Sequence, residues 1–177
     1  MPLIRPSREE DIPAITAIYA HHVLHGTGTF EIDAPPTAEM AMRRSEVQAR
    51  GLPYLVAEIE HQVAGFAYCN WFKPRPAYRF SAEDSVYLAP PAQGTGLGRA
   101  LLAELMARAQ MTGMRKLIAV IGDSRNAGSI GLHRSAGFTE VGRLKSCGWK
   151  FDQWLDVVLM ERSLGPGNLA PAPSVHA

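Results

Sequence analysis

Gln93-Gly94-Thr95-Gly96-Leu97-Gly98-Arg99 is the stretch on which the reading of this chain turns. Glycines at alternate positions let the backbone turn sharply and leave no side chain between its N–H groups and an approaching ligand. Upstream, Ser85-Val86-Tyr87-Leu88 reads as a strand broken by Ala89-Pro90-Pro91. Downstream, Leu97, Leu101, Leu105 and Ala109 recur every four residues, as on one face of a helix. A strand therefore enters the loop and a helix leaves it. The first N–H groups of a helix lack intrahelical partners and sit at the positive end of its dipole, so an anion is stabilised there without a lysine. Arg99 adds a charge-assisted contact. A Walker A loop needs Gly-Lys-Ser/Thr at its end, and a dinucleotide fingerprint needs glycine where Arg99 stands, so neither ATP nor NAD is favoured. A glycine loop can equally serve a plain tight turn, and its surroundings must decide.

Working outward, Pro2 to Arg5 reads as a short strand. Ser7-Arg8-Glu9-Glu10 matches a capping box and competes with Asp11 as helix start; Pro13 is tolerated only in a first turn, which favours Asp11 as the cap. Ile12, Ile15, Ile18 or Tyr19, and Val23 give one apolar face, closed by Gly26 and Gly28. Ala38 to Arg50 is a second, more polar helix. Tyr54–Ala57 and Val63–Tyr68 flank Glu60-His61-Gln62 as a strand pair around a tight turn. Trp71 to Tyr78 holds two prolines and cannot continue a central strand, so it is a loop long enough to be functional. Lys116 to Ile121 is a buried strand and Asn126 to Ala136 a short helix. Apolar runs around Val141 and from Trp154 to Met160 close the sheet, giving a mixed α/β order. Residues 1–164 form one domain, and 165–177, rich in Pro, Gly and Ala, are expected to be a disordered tail.

The 177 residues are 46% hydrophobic, enough for one continuous core and too few for two full domains. Eighteen Lys and Arg balance 17 Asp and Glu, which advertises neither a nucleic-acid nor an acidic-membrane partner. Cys69 and Cys147 have no metal-ligand spacing and read as small buried residues in a reducing compartment. No stretch approaches the ~20 apolar residues of a membrane span, and the first residues lack an apolar signal core, so a cytoplasmic protein is expected.

With those elements placed, the chain resembles the GNAT acetyltransferases from about Leu3 to Leu164. Their pattern Gln/Arg-x-x-Gly-x-Gly/Ala stands here as Gln93-x-x-Gly96-x-Gly98. Their second signature, an Asn opening a helix and a Gly-Phe closing it, stands as Asn126-Ala127-Gly128-Ser129 and His133-Arg134-Ser135-Ala136-Gly137-Phe138. The resemblance implies a mixed sheet of six to seven strands with about four helices, splayed where acetyl-CoA binds. By it Gln93 to Arg99 hold the CoA pyrophosphate, Val86, Tyr87 and Leu88 lie along the pantetheine arm, and Asn126 and Ser129 reach that arm; a plain helix cap is the other reading of Asn126. Closer still is the phosphinothricin and methionine sulfoximine acetyltransferase branch. It is carried by Thr29-Phe30-Glu31, Lys73-Pro74-Arg75-Pro76-Ala77-Tyr78, Glu83-Asp84-Ser85-Val86-Tyr87 and Gly148-Trp149-Lys150-Phe151.

What the branch implies is acetyl transfer to a small amino acid by direct attack, without a metal, in a homodimer. Acetylation of a protein N-terminus or another amine, and a non-catalytic acetyl-CoA-binding module, are the rival readings. An ammonium must lose a proton before it attacks a thioester. Glu83, just ahead of the central strand, resembles the branch's general base. His133, where many relatives carry a tyrosine, is a second proton carrier or a structural histidine. The division of proton transfers between Glu83, His133 and a water chain stays open. Asp84 turns to the opposite face if Glu83 points inward. A backbone N–H near Leu88 would meet the oxyanion. Arg75 offers a fork for an acceptor carboxylate, with Pro76, Ala77, Phe30, Glu83, Asp84 and Ser85 as the remaining acceptor-site candidates.

Overall fold

The computed structural model describes residues 2–172. β1 (Leu3–Pro6) leads through a single 3-10 turn into α1 (Ile12–His25), then α2 (Thr37–Ala49), β2 (Tyr54–Ile59) and β3 (Gln62–Trp71). β4 (Ser81–Leu88), α3 (Leu97–Met111), β5 (Lys116–Gly122), α4 (Ala127–Ser135), β6 (Thr139–Lys150) and β7 (Gln153–Ser163) follow. The seven strands form one sheet in the order β1-β2-β3-β4-β5-β7-β6.

Most boundaries fall where periodicity and breakers put them. α1 buries Ile12, Ile15, Ile18, Tyr19 and Val23 and is capped by Gly26. Glu60 and His61, both with positive φ, make the β2–β3 turn. Four expectations change. Asp11 is the N-cap of α1 with Pro13 in the first turn, as expected, but its side chain makes no cap bond; its carboxylate is gripped by Arg5 through two bonds of 2.8 Å and accepts the Arg8 N–H at 2.6 Å. β4 begins four residues before its apolar run, so Glu83 lies within the strand, because pairing to β3 and β5 on both sides carries the polar residues along. Cys69 is buried, but Cys147 is exposed on the edge strand β6; both thiols are free. Residues 165–172 fold back instead of trailing: Gly165 N donates to Gln110 Oε1 at 3.0 Å, and Arg115 donates to the Gly167 and Pro171 carbonyls at 3.3 Å. The rest of the expected tail, 173–177, lies outside the described residues.

Alternation along β4 separates the two helical layers. Tyr87 meets Tyr19 of α1 edge-on at 5.0 Å, whereas the next residue, Leu88, packs on Gly98 of α3. α3 drives Leu97, Leu101, Leu102, Leu105 and Ala109 into the core. Among the described residues β4 and β5 are the one parallel pair, matched only from Ser81 with Lys116 to Asp84 with Ala119. Beyond that β4 stays with β3 up to Leu88, and β5 stays with β7 up to Gly122. The sheet therefore splits down its middle. No helix among the described residues is long and apolar enough to cross a membrane.

Leu101 is fully buried under the sheet. Leu101→Ala is expected to lower the unfolding free energy by about 2–5 kcal/mol, measured by urea denaturation; a loss below ~1 kcal/mol would contradict its central place in the core.

Candidate active site

The split opens a cleft of about 930 Å³, large enough for a substantial ligand. Its floor is the end of the β4–β5 pairing. One wall is β4 with α1, the other β5 with α4, and the glycine loop stands at the mouth. Ala89 N donates to Ala64 O at 2.8 Å, which fixes the alternation of the β3–β4 ladder. Tyr87 thus turns its backbone groups to β3, and Val86 and Leu88 turn theirs toward the open side. Backbone groups buried without partners are costly, so this bare edge calls for a ligand with amides of its own. One group on it is already taken: His22 Nε2 donates to the Leu88 carbonyl at 2.8 Å. Burial holds the His22 pKa below the ordinary imidazole value and outweighs the carbonyl's pull, which keeps the ring a neutral donor.

The three loop glycines do different work. Gly94 and Gly96 have φ of +74° and +88°, and a Cβ on either would touch nothing, so they are required by conformation. At Gly98 a Cβ would stand 3.3 Å from the Leu88 side chain, so that glycine lets α3 sit close to β4. Gly96 caps α3 without a side chain, leaving the helix start to an outside anion. Gln93, Gly94, Gly96, Gly98 and Arg99 line the cleft. Thr95 does not: its hydroxyl donates to Ala92 O at 2.8 Å. Nor does Leu97, which opens the α3 core stripe.

Adjacent carboxylates on β4 go to opposite faces. Glu83 and Ser85 share a face with Asn70 and Tyr68, their partners on β3. Burial pushes the Glu83 carboxyl above the usual carboxylate range, the charge of Asp84 pushes it further, and Lys73 opposes both. Asp84 faces α4 and is buried beside Cys69, its β3 partner, whose thiol burial pushes up to about 12. Asp84 Oδ2 lies 2.8 Å from His133 Nε2, while His133 Nδ1 lies 2.8 Å from the Ser129 carbonyl. A carbonyl only accepts, so Nδ1 carries a proton, and a second proton must sit between Nε2 and the carboxylate. Burial alone would lower the His133 pKa, but the bond and charge of Asp84, with the Ser129 carbonyl, hold it above the ordinary value. Asp84 Oδ1 is buried with no partner. Asp84 and His133 also line the cleft, from the face opposite Glu83.

Asn126 caps α4 by accepting the Ser129 N–H at 3.1 Å, and its Nδ2 end looks across to Gly28. It lines the cleft with Ser129, Phe30 and Ser85. Arg75, Pro76 and Ala77 do not: they enter a short 3-10 turn that is exposed, with Phe72 and Tyr78 meeting edge-on at 5.8 Å beside it. Tyr19, His22, Tyr68, Asp123 and Arg125 line the cleft without having been among the site residues expected from the sequence. The Phe66/Tyr68 alternation of β3 could have found Tyr68; His22 reads locally as an ordinary helix-end residue.

Residues 4–159 match the family described as acetyltransferase (GNAT) domain. The phosphinothricin N-acetyltransferase of Alcaligenes faecalis is 52% identical over 165 residues, covering 93% of this chain and 84% of that one. The L-methionine sulfoximine/L-methionine sulfone acetyltransferase of Salmonella typhimurium is 37% identical over 161 residues, 91% of this chain and 94% of its own. A crystal structure of a GNAT superfamily phosphinothricin acetyltransferase from Sinorhizobium meliloti in complex with AcCoA superposes with a TM-score of 0.96 at 43% identity, covering 98% of this chain and 94% of that one.

Because the folded His133 pKa is raised, the stability its pairing gives is complete below the unfolded value of about 6.5 and is lost as pH rises through the folded value. Asp84→Asn is therefore expected to destabilise by about 3 kcal/mol near pH 6, and by less near pH 9, in urea unfolding at the two pH values. A cost that grows with pH would refute the pairing.

Proposed function

Since the chain belongs to the GNAT acetyltransferase family, we propose that it moves the acetyl group of acetyl-CoA to the amine of a small amino acid such as phosphinothricin, methionine sulfoximine or methionine sulfone. The observation that carries this reading is the Glu83 carboxyl, raised by burial, standing on the strand where the sheet parts and within the same cleft as the glycine loop. The names of the relatives at 52% and 37% identity support the acceptor class.

Acetyl-CoA supplies the acetyl thioester. The start of α3, with the loop from Gln93 to Arg99, suits its pyrophosphate, and the bare β4 edge at Val86 and Leu88 suits the amides of its pantetheine arm. The free end of Asn126 is available to the same arm. Glu83 accepts the proton of the acceptor ammonium, and a carboxylate of raised pKa is the better base. A β4 N–H on the open edge meets the negative charge that develops on the acetyl oxygen. His133, buried with both ring nitrogens engaged, acts as a positioning residue that ties α4 to β4 and fixes the strand bearing Glu83. Phe30 and Ser85 border the acceptor; Arg75, Pro76 and Ala77 serve it only if their turn moves inward.

We also propose a homodimer built on the β6–β7 hairpin. β6 is the sheet edge, and Val141, Leu144, Trp149, Phe151 and Trp154 are exposed there, with Trp154 62% accessible and the two indoles meeting at 5.2 Å. Such a patch on a sheet edge is a pairing surface. The acetyl-CoA donor and the two free thiols fit a cytoplasmic enzyme.

Glu83→Gln is expected to lower kcat with methionine sulfone about 10²–10⁴-fold while acetyl-CoA binding by calorimetry is unchanged, and the acidic limb of the wild-type kcat/KM profile is expected above the usual carboxylate range. Full activity of Glu83→Gln across pH would remove Glu83 as the base. By light scattering the protein should run at twice its chain mass, and Trp154→Glu at the single mass; a wild-type monomer would sink the dimer.

A further inference from the structure

The segment from Thr27 to Glu31 crosses the end of the cleft, and almost every group in it is tied down. Thr27 Oγ1 donates to Asp123 Oδ2 at 2.8 Å, and the Tyr19 and Thr29 hydroxyls share a bond of 3.1 Å. Lys150 Nζ donates to the Thr29 carbonyl at 2.9 Å. Glu31 Oε1 accepts from Arg43 Nη1 at 2.6 Å and from Tyr19 at 2.7 Å. The exception is Phe30, whose ring lines the cleft and can be held only by the shape of what surrounds it.

That shape is made by two glycines. A Cβ on Gly122 of β5 would lie 3.0 Å from Phe30 Cε1, and also 2.6 Å and 2.8 Å from the Thr27 and Gly28 carbonyl oxygens. A Cβ on Gly148 of β6 would lie 2.3 Å, 2.5 Å and 2.9 Å from Phe30 Cε2, Cδ2 and Cζ, with no backbone atom among its three nearest contacts. The ring thus rests across β7, which lies between those two strands, in a trough closed at the Gly122 end by backbone that cannot yield. Gly148 and Lys150 stand two apart on one strand and so face the segment together: one makes room for the ring, the other holds the carbonyl beside it.

We propose that Gly148 is a specificity-determining position: by lacking a Cβ it seats the Phe30 ring in the sheet and so sets how much of the cleft is left for the acceptor side chain. This rests on the reading of the cleft as the pocket of a small amino-acid acceptor. A methyl group at 148 has one way to be relieved. The ring is barred by Gly122 and its neighbouring carbonyls on one side, and swings into the cleft. The pocket shortens at the acceptor end, while the glycine loop and the β4 edge are untouched.

The test is steady-state kinetics with L-methionine sulfone and with S-methylcysteine sulfone, which carries the same head on a chain one methylene shorter. Gly148→Ala is expected to raise KM for methionine sulfone about tenfold, to raise it less for the shorter sulfone, and to leave KM for acetyl-CoA within about twofold. Adding Phe30→Leu, which removes the ring that the methyl strikes, is expected to restore most of the loss. Phe30→Leu alone, which leaves β6 intact, should narrow the difference between the two sulfones. Unchanged acceptor KM in Gly148→Ala, an equal rise for both sulfones and acetyl-CoA, or no rescue in the double variant overturns the proposal. Should Gly148→Ala fail to fold, undiminished discrimination in Phe30→Leu overturns it. Wild-type protein that turns over neither sulfone overturns the acceptor reading itself and this assignment with it, whereas wild-type turnover with unmoved variants overturns only the role of Gly148.

Discussion

Four matched residue pairs hold the two halves of this molecule's sheet together at its centre. Parallel pairing of β4 with β5 runs from Ser81 and Lys116 to Asp84 and Ala119 and stops, while each strand keeps its outer antiparallel partner to the end. Had the central ladder continued, the backbone groups of Val86 and Leu88 would be satisfied inside the sheet and no cleft would exist. The split leaves them bare, save the Leu88 carbonyl that His22 takes, and burying bare amides is tolerable only where water or a ligand can reach them. The glycine loop, α1 and α4 are arranged around that opening, so fold and ligand capacity have one origin.

The same short stretch decides the electrostatics. Glu83 and Asp84 are neighbours in sequence, yet the pleat sends one toward α1 and the other toward α4. Asp84 receives a dedicated partner, and His133 spends both nitrogens in providing the arrangement. Glu83 receives no partner of its own, only the distant opposition of Lys73. A structural role and a chemical role are thereby kept apart by one peptide unit, and the charge compensated on one face still lifts the proton affinity on the other.

Much of this was legible in the chain. Alternate glycines between a strand and a four-residue stripe gave the loop and its helix, and the breakers around Gly26, Gly51 and Pro90 bounded elements correctly because local chemistry sets those ends. Alternation alone separated Glu83 from Asp84. What could not be read depends on long-range partners. The start of β4 is set by pairing on both flanks and carries no apolar signal. His22 reaches a carbonyl 66 positions away. The exposure of Cys147 follows from β6 being the sheet edge. The turn holding Arg75, Pro76 and Ala77 sits outside the cleft because an exposed proline-rich turn is shaped by its own short bonds, which composition does not place in space.

The opposed carboxylates carry a consequence for how such a chain can diverge. A residue gained or lost in the exposed segment between Trp71 and Ser81 changes only the length of a connector. The same event between Ser81 and Glu83 would turn every later side chain of β4 to the other layer, parting Asp84 from His133 and taking Glu83 off the face it shares with Asn70. Descendants of this protein can therefore lengthen the rim freely, but the spacing from the first paired residue of β4 to the loop glycines is frozen.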